Sequence, residues 1–141
     1  MTFLLDTNVV SALGRRRGGD ERVRRWAQTQ RLSDFYISVI TLAEIETGVL
    51  RIARKDRLQG DVLRRWLDDY IAPRFKERTL PVDAAIARRT AALHVPDPRP
   101  FADALIAATA LVHSLTVVTR NTPDFSGTGV ALLNPWEAAR P

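Results

Sequence analysis

Short apolar runs, separated by polar and by glycine- or proline-containing segments, set the pattern of this chain. Five of them are predicted to be β-strands, at about residues 2–5, 35–38, 78–80, 115–119 and 130–132, of which the first and the fourth are expected to be buried. The fourth run is β-branched and barely alternates with polar positions, which is typical of a strand covered on both faces of a parallel sheet.

The segments between these runs carry apolar residues three and four positions apart, which predicts helices. They cover about residues 7–14, 20–32, 41–54, 57–71, 84–93 and 101–113, with a last turn at 134–136. Asp20 and Asp83 are suited to cap two of these helices, and Pro73 is expected to end the fourth. Thr41 and Glu44 have the spacing of a capping box, so the third helix is expected to begin near Thr41.

Alternation of strands and helices predicts an α/β fold. We expect three layers, α/β/α, around a central parallel sheet. Residues 1–141 contain no internal repeat and no linker long enough to divide them, so a single domain is predicted.

Composition narrows the class of protein. The chain has no cysteine, which excludes disulfides and thiolate metal sites and favours a reducing compartment. The charge at Asp6 interrupts the first apolar run too early for a secretory signal, and no run approaches the ~20 apolar residues of a membrane span. A cytoplasmic protein without a membrane segment is expected.

The net charge is +5, and almost all of the positive charge is arginine, since Lys55 and Lys76 are the only lysines. A basic, arginine-rich surface suits phosphate, and so favours nucleic acid or an acidic protein as a partner. Solvated helix faces and genome composition would produce the same arginine enrichment, so net charge alone does not identify a partner.

Acidic residues stand where the predicted strands end. Asp6 follows the first strand, and Asn121 and Asp124 follow the fourth. Glu44 and Asp103 are placed in the first turns of two helices, whose N-termini face the same edge of the sheet. Ligands of open parallel sheets bind beyond the carboxyl ends of the strands, so these side chains are expected to meet.

Each acid also has a structural interpretation. Asp6 could be a helix cap, Glu44 half of a capping box, Asp103 a complement to a helix dipole, and Asp124 part of a turn with Pro123. Their convergence favours a shared role. Clustered carboxylates repel one another, and Mg²⁺ or Mn²⁺ would relieve that repulsion, activate water and stabilise charge on a phosphodiester.

These residues resemble motifs of the PIN-domain ribonucleases, and within them of the VapC/FitB-like toxins of prokaryotic toxin–antitoxin pairs. The matching segments are Phe3–Val9, Ser38–Gly48, Ala102–Ala110 and Val118–Phe125, followed by the tail Gly129–Trp136. Each motif is short, but their order and spacing together span the whole chain.

The resemblance implies an α/β/α fold and Mg²⁺- or Mn²⁺-dependent cleavage of RNA. Asp6, Glu44 and Asp103 match the three central acids of the family. Many members carry a fourth acid where this chain has Asn121, so the fourth ligand is left open between Asn121 and Asp124, with Asp124 favoured.

Supporting roles and partners follow from the same resemblance. Three further residues fit hydrogen-bonding groups behind the metal ligands: Thr7, Asn8 and Thr119. The family implies a homodimer, a cognate antitoxin and, through the antitoxin, operator DNA. The helices at 41–54 and 57–71 are candidate antitoxin surfaces, and core packing is the alternative role of their apolar faces. Independently of the resemblance, three arginines are candidates to steer RNA: Arg15, Arg16 and Arg17.

The leading hypothesis is therefore a metal-dependent endoribonuclease toxin neutralised by an antitoxin. The alternative is a catalytically weak partner-binding module that represses its operon together with that antitoxin. A haloacid-dehalogenase-like phosphoryl-transfer enzyme is disfavoured, because such sites need a second aspartate two residues after Asp6, where this chain has Asn8.

Overall fold

In the computed structural model of the chain, which describes residues 1–14 and 19–138, five strands form a single parallel sheet. The strands are β1 Phe3–Leu5, β2 Phe35–Ser38, β3 Thr79–Leu80, β4 Thr116–Val118 and β5 Leu132–Leu133. The helices are α1 Thr7–Gly14, α2 Glu21–Gln28, α3 Val39–Lys55, α4 Arg57–Arg65, α5 Ala72–Arg74, α6 Ala84–Leu93, α7 Phe101–His113 and α8 Pro135–Ala138. Short 3₁₀ turns lie at Leu32–Asp34 and Thr122–Phe125, and a π-helical segment lies at Trp66–Ile71.

The strand order is β3-β2-β1-β4-β5, which places the first strand at the centre of the sheet. Phe3 pairs with Phe35 of β2 on one side and with Thr116 of β4 on the other. The chain thus extends the sheet in one direction from β1 to β3 and then returns to the opposite side of β1. This reversal opens a crevice beyond the carboxyl ends of β1 and β4.

Two apolar clusters cover the two faces of the sheet. Phe3, Leu5 and Val118 belong to one cluster, which includes residues of α1, α2, α3 and α4. Leu4 and Val117 belong to the other, which contains alanines and Ile106 of α7. Because successive strand residues point to opposite faces, this division gives the predicted three-layer α/β/α architecture.

Helix α3 begins earlier than its capping-box spacing predicts. Ser38, the last residue of β2, is its N-cap and accepts a hydrogen bond from the Ile40 amide at 3.0 Å. Thr41 is fully buried inside the helix and caps nothing. Glu44 therefore lies in the second turn rather than in the first, and the capping box is wrong.

Pro73 does not end the helical segment that follows. The π-helical segment 66–71 leads directly into α5, and Pro73 lies in the first turn of α5. The amides on either side of Pro73 keep helical hydrogen bonds, from Ala72 to the Leu67 carbonyl and from Phe75 to the Ile71 carbonyl, so the missing proline amide does not end the segment. Within the described residues, no helix is long and apolar enough to cross a bilayer.

Candidate active site

The crevice between β1 and β4 brings together residues from both ends of the described chain. The Asp6 amide donates to the Val118 carbonyl at 2.9 Å, which extends the pairing of the two strands by one residue. Asp6 is thereby fixed at the carboxyl edge of the sheet, as the sequence predicts. Its side chain is only 6% exposed.

Three groups donate to the Asp6 carboxylate. The Thr7 amide lies 2.8 Å from Oδ1, and the Thr119 hydroxyl lies 2.8 Å from Oδ2. The Asn8 amide nitrogen Nδ2 lies 3.2 Å from the same Oδ2. Asp6 therefore does more than accept from the first amide of α1, because its Oδ2 is held both by Asn8 of α1 and by Thr119, which follows β4.

Asn8 and Thr119 also hold the loop that follows β4. The Asn8 carbonyl oxygen Oδ1 accepts from the Arg120 amide at 3.1 Å, and the Thr119 hydroxyl oxygen accepts from the Asn121 amide at 3.0 Å. These contacts fix the backbone of residues 119–121 beside Asp6. The sequence prediction assigned Asn8 and Thr119 such supporting positions.

Glu44 reaches the same region from α3. Its Oε1 accepts a hydrogen bond from the Thr7 hydroxyl at 2.7 Å. Thr7 thus contacts both acids: its amide donates to Asp6 and its hydroxyl to Glu44. Glu44 itself is exposed, so its carboxylate is open to solvent and to a ligand.

Asp103 is the acid most affected by its surroundings. It lies in the first turn of α7 and is partly buried. Burial, and then the negative charges of Asp6, Asp124 and Glu44 in that order, raise the pKa of Asp103 to about 6. The four acids of the predicted set are therefore within electrostatic reach of one another.

The two candidates for the fourth metal ligand, Asp124 and Asn121, lie in or beside an exposed turn. Asp124 lies in the 3₁₀ turn 122–125, where its amide donates to the Asn121 carbonyl at 3.0 Å. Asp124 therefore takes part in the turn and also raises the pKa of Asp103 through its negative charge. Asn121 is exposed, and its amide rather than its side chain carries the contact to Thr119.

The acids do not form a closed ligand cage. Over residues 1–14 and 19–138, no three histidine or acidic side chains are arranged to hold one ion as they stand. The donor set nevertheless fits a hard divalent cation: all four groups are carboxylates, and burial together with their mutual repulsion raises the pKa of Asp103. A cation between them would offset that repulsion.

The backbone of Arg120 is held beside the acidic site by Asn8, and sequence patterns alone do not single this residue out. Its guanidinium carbon lies 5.2 Å from the centre of the Trp136 ring, while Trp136 Nε1 donates to Asp20 at 3.1 Å. The available signal is its place between Thr119 and Asn121 within one motif. The arginines at positions 15–17, predicted to steer RNA, lie outside the described residues.

Comparison with known proteins agrees with this fold. Residues 3–129 match the PIN domain family, and the chain belongs to that family. Among its relatives is the toxin FitB of Neisseria gonorrhoeae, 41% identical over 95% of this chain and 98% of that protein. The plasmid stability protein StbB of Pseudomonas syringae pv. tomato is 38% identical over 96% and 99%.

Comparison with solved structures identifies the same fold. The crystal structure of FitAcB from Neisseria gonorrhoeae contains a chain that superposes with a TM-score of 0.85 at 40% identity, covering 96% of this chain and 99% of that one. The predicted fold class and family resemblance are both confirmed.

Proposed function

We propose that this protein is a metal-dependent endoribonuclease toxin that a cognate antitoxin neutralises. The observation that carries the proposal is that four acids from four separate segments lie within electrostatic reach of one another, so that three of them act on the partly buried carboxyl of Asp103. Relatives named as VapC ribonucleases and as a toxin support the same activity and biological role.

Asp6, Glu44, Asp103 and Asp124 would hold Mg²⁺ or Mn²⁺. When bound, the ion supplies a Lewis acid that activates water and stabilises negative charge on a phosphodiester. Asn121 is the alternative to Asp124, since its side-chain oxygen is also a hard ligand.

The chain's own residues prepare this site in defined ways. Thr7, Asn8 and Thr119 orient the Asp6 carboxylate through their hydrogen bonds. Thr7 also orients Glu44. Such outer partners fix the direction of a ligand's lone pairs and so favour binding of an ion in one geometry.

A cleavage assay tests the proposal. The purified protein should cut single-stranded RNA with Mg²⁺ or Mn²⁺ and should stop when EDTA is added. Loss of a residue that hydrogen-bonds to a metal ligand typically lowers activity about 10- to 100-fold. Asp6→Asn changes a proposed ligand itself and should lower the cleavage rate by more than that. Asp61→Asn, which changes an exposed acid of α4, is the matched control. Cleavage in EDTA, or full activity of Asp6→Asn, would contradict the proposal.

The proposed partners are an antitoxin, a second copy of this chain and, through the antitoxin, operator DNA. Solved structures of similar chains include one of FitAB bound to a DNA fragment. Two apolar surfaces of this chain are uncovered: a cavity of about 380 Å³ lined in part by Leu13, Phe35 and Ile71, and the exposed side chains of Leu58 and Val62 on α4. We also propose that the protein works in the cytoplasm.

A second candidate function is a partner-binding module that represses its operon with the antitoxin and cuts little or no RNA. Asn121, in a position where the sequence resemblance places an acid, favours it. Calorimetric titration with Mn²⁺ distinguishes the two functions. A binding signal that Asp103→Asn abolishes supports the nuclease, whereas no signal together with no cleavage supports the module.

A further inference from the structure

We propose that Arg120 binds a phosphate of the RNA strand beside the cleavage position, and that Trp136 holds the Arg120 guanidinium ready for it. The inference rests on the proposed ribonuclease function and adds a substrate contact to it. Four carboxylates around one crevice repel a polyanion, so a strand needs fixed positive charge next to them.

The backbone of Arg120 is tied to the acidic site. Its amide donates to Asn8 Oδ1, and Asn8 Nδ2 donates to Asp6. The preceding residue, Thr119, donates its hydroxyl to Asp6 as well. Arg120 is therefore fixed at the rim of the crevice, one residue beyond a group that contacts a proposed metal ligand.

The side chain of Arg120 is held by an aromatic face rather than by an acid. The guanidinium lies over Trp136, and no described residue accepts a hydrogen bond from it or forms an ion pair with it. A guanidinium stacked on an aromatic ring uses its flat face for that contact. Its N–H donors point outward in the guanidinium plane and so remain available to phosphate. Arg120 is also exposed to solvent.

Trp136 is itself fixed. It is 8% exposed, belongs to the apolar cluster beneath α1 and α2, and donates from Nε1 to the Asp20 carboxylate. Asp20 also caps α2 and binds Arg22 at 2.9 Å, so its charge is already neutralised and does not compete for Arg120.

Other arginines are differently engaged. Arg64 pairs with Glu46, and Arg78 and Arg99 donate to backbone carbonyls. Their donors hold the fold together. Arg120 combines a fixed position at the acidic crevice with guanidinium donors that no described residue uses, which is the chemistry expected of a phosphate ligand.

Binding of RNA without cleavage tests the inference. Fluorescence anisotropy of a labelled single-stranded oligoribonucleotide is measured in EDTA over a range of KCl concentrations. Arg120→Ala should weaken binding about 10-fold and lower the slope of log affinity against log salt by about 0.7, the value of one phosphate contact on a single strand. Arg120→Lys should keep the slope and lose about threefold in affinity, because the stacked plane is lost.

The matched control is Arg89→Ala, which removes the same charge from an exposed position of α6. This helix packs on α7, on the face of the sheet opposite to the cluster that contains Trp136. It should bind RNA as the wild type does. Trp136→Phe should stay close to wild type, whereas Trp136→Leu should weaken binding. Adding Arg120→Ala to Trp136→Leu should then cost less than it does in the wild type, which a purely structural role of Trp136 would not produce.

Cleavage kinetics separate the inference from the proposed function. With Mn²⁺ present, Arg120→Ala should raise KM about 10-fold and leave kcat within about twofold. If the wild type cleaves RNA but Arg120→Ala changes neither affinity nor salt slope, the inference fails and the ribonuclease function stands. If Arg120→Ala weakens only an antitoxin complex, the residue serves a protein partner and the inference is wrong. If the wild type cuts no RNA, the ribonuclease function fails, and the binding measurements in EDTA still decide the role of Arg120.

Discussion

The hydroxyl of Thr119 donates to the carboxylate of Asp6 at 2.8 Å across 113 residues of sequence, and the same oxygen accepts from the Asn121 amide. Thr119 is fully buried and Asp6 nearly so, which limits the access of water to the contact between them. One hydroxyl thus fixes a proposed metal ligand and the loop that carries Arg120.

Replacing Thr119 with valine should affect both stability and activity. The isosteric change leaves a buried carboxylate oxygen and the Asn121 amide with one partner fewer, which costs about 1–3 kcal/mol. RNA cleavage should fall about 10- to 100-fold, as for other outer partners of metal ligands. Urea unfolding and the cleavage assay measure the two effects. Thr119→Ser keeps the hydroxyl and should retain most of both, so equal losses in serine and valine variants would contradict the role of the hydrogen bond.

The raised pKa of Asp103 predicts the direction in which pH changes stability without metal. Folding raises this pKa from 3.8 to about 6, so the folded protein holds the proton more tightly than the unfolded chain does. The stabilisation is complete below pH about 4 and is lost as pH rises to about 6. Urea unfolding in EDTA across this range should show a contribution with this sign that Asp103→Asn removes. A contribution of the opposite sign would mean that Asp103 is stabilised as a carboxylate.

Divalent cations should raise the melting temperature of the wild type. A ligand that binds the folded state alone stabilises it by about 2.7 kcal/mol at 100 times its Kd. Thermal unfolding with increasing Mn²⁺ should therefore show a rising midpoint in the wild type and a much smaller rise in Asp103→Asn. Arg89→Ala, which leaves the acids intact, should respond as the wild type does. An equal rise in all three proteins would place the ion elsewhere.

Two helical glycines form a matched pair for a packing test. A Cβ on Gly60 of α4 would overlap the backbone of Ala53 on α3, whereas a Cβ on Gly48 would meet nothing within 4 Å. Gly48→Ala should stabilise the protein by about 0.5–1 kcal/mol, because alanine is the better helix former. Gly60→Ala should destabilise it, because the two helices must separate. Thermal or urea unfolding compares them, and a gain at both positions would show that α3 and α4 do not pack this closely.

The sequence is sufficient for the elements whose ends are set locally. Helices α6 and α7 span the predicted residues 84–93 and 101–113, because Asp83 caps the first and Pro100 precedes the second. The start of α3 is not decided locally. Ser38 and Thr41 are both good caps, and the choice falls on Ser38 because β2 continues to that residue in register with β3.

The candidate site divides in the same way. The acids could be predicted, because a parallel sheet places every strand's carboxyl end at one edge, and Asp6 and Asp124 follow strands of that sheet. The contact of Arg120 with Trp136 could not, because it joins the loop after β4 to helix α8, whose position depends on its packing against α2. A short-range pattern carries no information on such a pair.

The central position of β1 has a consequence for synthesis of the protein. The strand that leads to Asp6 is made first, but its second neighbour, β4, begins only at residue 116. A nascent chain therefore holds Asp6 without Thr119, Arg120 or Asp124 until more than 110 further residues have been joined. The ribosome that makes this protein faces an incomplete crevice for as long as β4 is missing, and the acids converge only after that strand and the turn behind it have been made.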